Sequence, residues 1–375
     1  MGCLKGKLCL NMNSRKCLMG MATEELASLA SEMGEGAYRG RQIANRLYKQ
    51  NALDLEDMPE LPKHFREKLA EAADICPIEI AEHFKSTDHV QKLLVHNGDK
   101  NLYECVLLPY EDRVSCCLST QVGCPMGCTF CATGLGGFDR NLSHHEIVAQ
   151  YLLLQSITDR RISHIVFMGM GEPLLNLDNV LKAINIFTKE IGLSARHLTI
   201  STVGLVPQIK KLEEQKLPIH LALSLHSPLD EVRDSMMPVN HKWPVHEVVR
   251  TMREYQEATG RKVTFEYLLI KGVNDTQEQA KELAKLIKGI PCVVNLIPWN
   301  WVDVGQQGFK RPSRERVRAF RNALEKLGVN VTERVERGHD IAAACGQLAG
   351  RHQGKFAKRS ATAGAPESIR MSTTS

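Results

Sequence analysis

The stretch Cys124-Pro-Met-Gly-Cys128-Thr-Phe-Cys131 follows a short apolar run at 114–119 and is succeeded by Gly134, Gly136 and Gly137. Three thiols on one glycine-flanked loop, spaced C-x3-C-x2-C, can hold three irons of a cubane iron–sulfur cluster and leave the fourth iron without a protein ligand. A structural zinc site asks for four protein ligands, and the paired C-x2-C knuckles of a zinc ribbon are missing.

Outward from this loop, short β-rich runs alternate with longer helical periods. The pattern predicts strands near 114–119, 162–168, 197–202, 219–225, 263–270 and 292–297. Helices are expected near 144–155, 178–190, 205–215, 245–259, 276–288 and 313–327, the first opened by a capping box of Ser143 and Glu146. Repeated β-then-α units imply a parallel sheet with helical crossovers, whose reactive groups sit in loops at the C-terminal strand ends. Upstream, residues 22–73 read as a small helical unit broken at Gly34 and Gly36. There Tyr38, Arg39, Arg41, Arg46, Tyr48 and Lys49 mix basic and aromatic side chains, which suits either a phosphate-gripping face or a solvated helix with half-buried tyrosines. Residues 77–114 look extended, with a hairpin signal at Asn97-Gly98 between apolar runs at 91–95 and 102–108. The expected organisation is a leader at 1–21, a helical accessory unit at 22–75 whose mixed face is a candidate RNA contact, a β-hairpin linker at 76–113, a core at 114–350 and a disordered basic tail at 351–375.

The chain has 375 residues, 43% of them hydrophobic, enough for a substantial core. Its apolar runs, such as 217–225, fall far short of the roughly 20 residues of a membrane helix. Forty-eight basic against 43 acidic side chains leave a net charge of +5; residues 310–337 hold nine Lys/Arg against four acids, a local surface suited to a polyanion or simply a solvated face. Twelve unevenly spaced cysteines without a secretory apolar segment point to metal or redox chemistry in a reducing compartment rather than a disulfide scaffold. The first acid is Glu24, so the basic start suits either a short transit peptide or a plain leader.

The cysteine spacing on the first loop of such a β/α chain resembles the radical S-adenosylmethionine (SAM) superfamily. Three further stretches sharpen the likeness: Phe167-Met-Gly-Met-Gly-Glu-Pro-Leu174, Ser224-Leu-His226 and Gly338-His-Asp-Ile-Ala-Ala-Ala-Cys-Gly-Gln-Leu348. Together they resemble the RlmN/Cfr family of RNA adenosine methyltransferases, with Arg337-Gly338 and the Gln347-Leu-Ala-Gly350 ending more like the RlmN branch. The resemblance implies an α/β fold with a partial (β/α)6 radical SAM barrel. It implies a 4Fe–4S cluster on Cys124, Cys128 and Cys131, and SAM held by Gly171, Glu172, Ser201, Ser224, Leu225, His226 and Asn300.

Cys345 then matches the residue that carries a methyl group taken from a first SAM, Cys117 the second redox cysteine, and Glu104 the proton acceptor. The implied activity is methylation of C2 of an adenosine in ribosomal RNA, and in tRNA, with two SAM per turnover and an electron donor such as flavodoxin or ferredoxin. A monomer in the cytoplasm, without membrane attachment, is expected; a plastid stroma or mitochondrial matrix is the alternative if the leader is a transit peptide. Rival readings are Cfr-like methylation at C8 and a non-catalytic, metal-containing RNA-binding protein. An adenine ring carbon is electrophilic, so a methyl sulfonium finds no nucleophile there, and a radical route removes that obstacle.

Overall fold

The structure, a computed structural model, describes residues 15–98, 101–302 and 308–349. The first fourteen residues of the expected leader and the whole expected tail lie outside the described residues. Residues 15–21 do not behave as a leader: Lys16–Cys17 pairs with Ala73–Asp74, and Leu18 and Met19 are fully buried. Two apolar side chains in sequence give this segment surface to bury, which a solvated leader lacks.

One ten-stranded sheet organises the chain, its strands adjacent in sequence order. β1 (Glu79–Lys85), β2 (Gln91–His96), β3 (Tyr103–Pro109) and β4 (Val114–Cys117) run antiparallel. From β4 the sheet turns parallel through β5 (Ile162–Phe167), β6 (Leu198–Thr202), β7 (His220–Ser224), β8 (Val263–Leu269), β9 (Cys292–Pro298) and β10 (Val331–Glu333). The six expected core strands are all present. The segment expected as a hairpin linker is instead three antiparallel strands continuous with the barrel sheet, because β3 registers Val106 against Cys117 of β4. A linker would leave the edge of β4 unpaired; the added strands cover it.

Three helices form the N-terminal unit: α1 (Thr23–Glu32), α2 (Tyr38–Lys49) and α3 (Lys63–Ala72). The crossovers are α4 (His144–Ser156), α5 (Leu177–Asn185), α6 (Val206–Glu214), α7 (Asp230–Met236), α8 (Val245–Thr259), α9 (Gln277–Leu286) and α10 (Arg314–Glu325). The α4 capping box forms as expected, Ser143 N donating to Glu146 Oε2 at 2.9 Å. The helix expected over 178–190 loosens into a π turn at 186–190, where Thr188 Oγ1 donates to the Ile184 carbonyl and competes for it.

The mixed basic and aromatic face of the N-terminal unit is largely bonded internally. Tyr48 is buried with its hydroxyl donating to Met21 O at 2.6 Å, Arg46 pairs with Glu60 at 2.6 Å, and Lys49 donates to Ile191 O. Tyr38 and Arg41 remain exposed. The unit shares one core with the barrel, and Thr23 Oγ1 donates to Glu190 Oε2 at 2.6 Å.

A buried ion pair fastens the C-terminal segment to β2 and β3. Lys92 Nζ lies 2.9 Å from Glu104 Oε1, each side chain only 8% exposed. Lys92 also donates to Ala342 O, and Glu104 Oε2 accepts from Ala349 N at 2.9 Å. Lys92→Met should destabilise the protein by roughly 3–5 kcal/mol, because Glu104 is left buried and charged. Adding Glu104→Gln should return most of that loss, since it removes the stranded charge and keeps an acceptor for Ala349. Urea unfolding of the two variants checks this.

Candidate functional site

The parallel strands present their C-terminal ends to one side, and the chemistry-bearing residues gather there. The cysteine loop is closed at its base by a two-stranded ribbon, Gln121–Gly123 against Phe138–Asn141. Gly123 adopts φ +76°, and a Cβ there would sit 2.1 Å from Gly137 O, so this turn requires glycine. Cys124 N then donates to Gly137 O at 2.7 Å, and Cys131 N to Cys128 O at 3.2 Å.

Burial pushes the Cys124 thiol up to about 12 and that of Cys128 well above its ordinary value, and the nearby Cys131 raises both further. Among the described residues no three Cys, His, Asp or Glu side chains converge on one point as ligands of a single metal ion. Three thiols spaced C-x3-C-x2-C on one loop fit a cluster with one iron per thiolate. Iron would remove the protons that burial now holds on these sulfurs.

Glu172 follows Gly171, whose φ of +104° and close approach to Gln121 exclude a side chain. Its carboxylate is buried and accepts from Leu174 N at 3.1 Å and from Val203 N at 2.9 Å. Burial lifts it to about 7 despite these donors, so a ligand ammonium beside it would restore the charged form. His226 is buried, takes φ +59°, and its Nδ1 accepts from Leu268 N at 3.0 Å, which leaves the neutral ring an Nε2–H donor. Burial lowers it to about 3 and keeps it neutral.

Two neighbouring cavities open at this end. The second is lined by Gly171, Glu172, Ser201, Ser224 and His226 together with Cys131 and Cys345. Five of the seven residues expected to hold SAM thus share one cavity with a cluster cysteine. Leu225 is fully buried and offers its carbonyl to Arg233 Nε at 3.0 Å. Asn300 lines the first cavity and accepts from Arg311 at 3.0 Å.

The first cavity holds Cys117 and Cys345. Cys345 is therefore in the wall of both cavities, on a segment tied to the cysteine loop by Ala132 N donating to Gly346 O at 2.8 Å and by Thr133 Oγ1 donating to Leu348 O. Burial raises Cys117 to about 12, and the neighbouring Cys345 raises it further. Glu104 lines neither cavity, although its neighbours Val106 and Leu348 line the first: Val106 along β3, and Leu348 beside the Ala349 amide that it binds.

Sequence reasoning missed three charged residues here. Arg233 is fully buried on α7 and gathers the strand-end loops, donating to Val203 O at 2.7 Å, Ser224 O at 3.3 Å and Asn240 Oδ1 at 2.7 Å. Glu266, an acid inside the apolar strand Val-Thr-Phe-Glu-Tyr-Leu-Leu, lines the second cavity; its charge at a buried position was the available signal. Arg334 lines both cavities and carried no signal beyond membership of a basic stretch.

Residues 118–287 match the family model described as the Radical SAM superfamily, and residues 17–75 the one described as Ribosomal RNA large subunit methyltransferase N-terminal domain. A probable dual-specificity RNA methyltransferase RlmN from Moorella thermoacetica is 46% identical over 348 residues, 90% of this chain and 98% of that protein. Its counterpart from Alkaliphilus oremlandii is 46% identical over 338 residues, 89% of this chain and 98% of that protein. The crystal structure of a radical SAM methyltransferase from Sphaerobacter thermophilus superposes with a TM-score of 0.86 at 41% identity, covering 89% of this chain and 99% of that one.

Proposed function

The chain belongs to the RlmN-type family of radical SAM RNA methyltransferases, and from that premise we propose that it methylates C2 of an adenosine in large-subunit ribosomal RNA, and in tRNA, by way of a methyl group carried on Cys345. The observation that carries this reading is the position of Cys345 in the wall common to two cavities, one lined by the expected SAM residues and the other containing Cys117. A carrier must face its donor and its acceptor in turn, and a residue buried on one side only could not.

Cys124, Cys128 and Cys131 would hold the 4Fe–4S cluster, and Gly171, Glu172, Ser201, Ser224 and His226 would hold SAM, with Leu225 and Asn300 shaping the walls. Bound together, cluster and SAM supply an electrophilic methyl group and, after one-electron cleavage, a carbon radical able to take a hydrogen atom. Cys345 receives the methyl group from one SAM and gives up a hydrogen when a second is cleaved, so two are used per turnover. The resulting methylene on Cys345 adds to the ring carbon, joining protein and RNA. Cys117 then attacks Cys345 Sγ to form a disulfide, which a dithiol of the cell reduces. Before that attack the ring radical left by the addition must lose a proton and one electron: Glu104, whose neighbours Val106 and Leu348 line the first cavity, is the acceptor of the proton, and the electron would return to the cluster.

The target adenine must leave its stack, at a few kcal/mol, to enter the first cavity. Around it Tyr110 is flanked by the guanidinium groups of Arg113 and Arg337, 4.6 and 5.0 Å from its ring centre, a surface suited to bases and phosphates. The N-terminal unit at 22–75 adds RNA contact through its exposed Tyr38 and Arg41. No helix among the described residues is long and apolar enough to cross a membrane. We place the protein in the cytoplasm as a monomer that takes electrons from flavodoxin or ferredoxin.

The test is anaerobic reconstitution, iron analysis, and mass spectrometry of nucleosides from treated ribosomal RNA and tRNA. About four irons per chain and 2-methyladenosine are expected. 8-Methyladenosine would overturn the ring position, and a colourless zinc protein without methylation would overturn the enzyme reading.

A further inference from the structure

Two thiols in this site must act as nucleophiles from surroundings that oppose their ionisation. Burial raises Cys345 and Cys117 alike. Any anion formed on either sulfur needs a cation within reach.

Three arginines line the first cavity, and two are committed elsewhere. Arg311 pairs with Glu336 and donates to Asn300, while Arg337 donates to Pro109 O and to both the carbonyl and carboxylate of Asp88. Arg334 differs. Its backbone is fixed just past β10, where its N–H donates to Leu296 O at 2.9 Å, and its Nη1 lies 3.7 Å from Met168 Sδ. Among the described residues no carboxylate closes an ion pair with it. The groups that act on its charge are Cys345 most strongly, then Glu266 and Cys117. It is also the arginine common to both cavity walls.

We propose that Arg334 is a shared positioning cation, holding Cys345 as a thiolate for methyl uptake and then, once that sulfur is a neutral thioether, holding Cys117 as the thiolate that releases the product. The proposal rests on the reading that Cys345 carries the methyl group and Cys117 resolves the adduct. In the first step the Cys345 S–C bond forms as the sulfonium C–S bond breaks, and the electron pair leaves with the SAM sulfur. In the second, the S–S bond forms as the Cys345 Sγ–CH2 bond breaks; the pair stays on the ring-borne carbon, which takes a proton. One guanidinium suffices for both because the two anions never coexist. A second permanent cation would instead leave an unmatched charge when either sulfur is neutral.

The experiment uses cluster-reconstituted full-length protein under anaerobic, reducing conditions, with iodoacetamide as probe and peptide mass spectrometry as readout. Arg334→Met removes the charge while keeping an unbranched stem, and Arg334→Lys restores a charge. Alkylation of Cys345 should slow about tenfold in Arg334→Met: a shift of about two pKa units cuts the thiolate fraction about a hundredfold, and the greater nucleophilicity of the more basic sulfur offsets about half of that on the logarithmic scale. Arg334→Lys should stay within about threefold of the parent on the same scale. Cys292, on the far end of β9, should react equally in all three, and unchanged iron content shows that the fold persists. With RNA, Arg334→Met should also accumulate a ribonuclease-sensitive protein–RNA adduct that the parent clears. Unchanged Cys345 alkylation in Arg334→Met overturns the proposal, even if Cys117→Ala traps an adduct. Slowed alkylation together with normal release of methylated RNA by Cys117→Ala supports the hold on Cys345 and overturns the hold on Cys117, along with the resolving reading.

Discussion

Cys117→Ala leaves the enzyme covalently joined to its RNA. The substitution removes a buried thiol from the end of β4 without touching the cysteine loop, so the cluster still assembles and Cys345 still takes up its methyl group. The methylene on Cys345 still reaches the ring, since Cys345 lines the same cavity that holds Cys117. Release then fails, because alanine has no sulfur to attack Cys345 Sγ. Neighbouring cysteines do not replace it: Cys131 lines the cavity but would be held by the cluster, and Cys105 and Cys116 are fully buried and do not line it. A purely structural Cys117 predicts something else, a modest stability loss of about 1 kcal/mol with near-normal turnover. Denaturing electrophoresis after anaerobic reaction with labelled RNA separates the two. A retarded band that ribonuclease collapses is expected in Cys117→Ala, and free methylated RNA without that band would overturn the resolving role.

Cys345→Ala should stop RNA methylation while sparing the protein that performs it. Cys345 is half-buried and packs as a small side chain, and the bonds that fix its segment run through the backbone of Gly346 and Ala349, which alanine leaves in place. Iron content, SAM cleavage and unfolding behaviour should therefore stay near those of the parent. Methyladenosine formation should fall to background, a loss on the order of the millionfold seen when a covalent nucleophile is removed. Parallel measurement of cleavage and methylation makes the effect specific: a fold defect lowers both, and loss of the carrier lowers only the second.

Most of the fold was readable because the barrel follows local rules. Stretches such as Ile162–Phe167 and Val263–Leu269 are apolar at most positions and rich in β-branched and aromatic residues, so they stand out as strands even with Ser163, His164, Thr264 and Glu266 among them. The crossover helices between them carry their own start signals, as at Ser143 and Thr276. The three antiparallel strands were harder to place, since β1 alternates exposed and half-buried side chains and only its pairing with β2 declares it a strand. Residues 15–21 were misread because a basic, acid-free start looks the same whether or not the next two apolar residues find a core.

The site was readable where a motif sits on one loop and opaque where partners come from distant segments. Cys124, Cys128, Cys131, Gly171 and Glu172 fall within two short stretches. The Lys92–Glu104 pair and its hold on Ala349 join residues up to 245 positions apart, and the place of Arg334 between two cavities depends on how β10 meets the segment bearing Cys345. Such pairings are set by the tertiary fold, and no local spacing encodes them. The basic and aromatic N-terminal face fails for the same reason: Glu60 and the Met21 carbonyl, which occupy Arg46 and Tyr48, lie outside α2.

The central claim is that the methyl group reaches RNA from Cys345 and not directly from SAM. The measurement that meets it most directly loads Cys345 from SAM bearing a trideuterated methyl group, removes the free SAM, and then supplies unlabelled SAM and RNA for a single turnover. Mass spectrometry of the product should show a methyl group with two deuterium atoms, because the carrier gives one up as a hydrogen atom and takes a proton from water on release. A product with no deuterium would mean that the methyl group bypasses Cys345, and one retaining all three would mean that it moves intact; either contradicts the account.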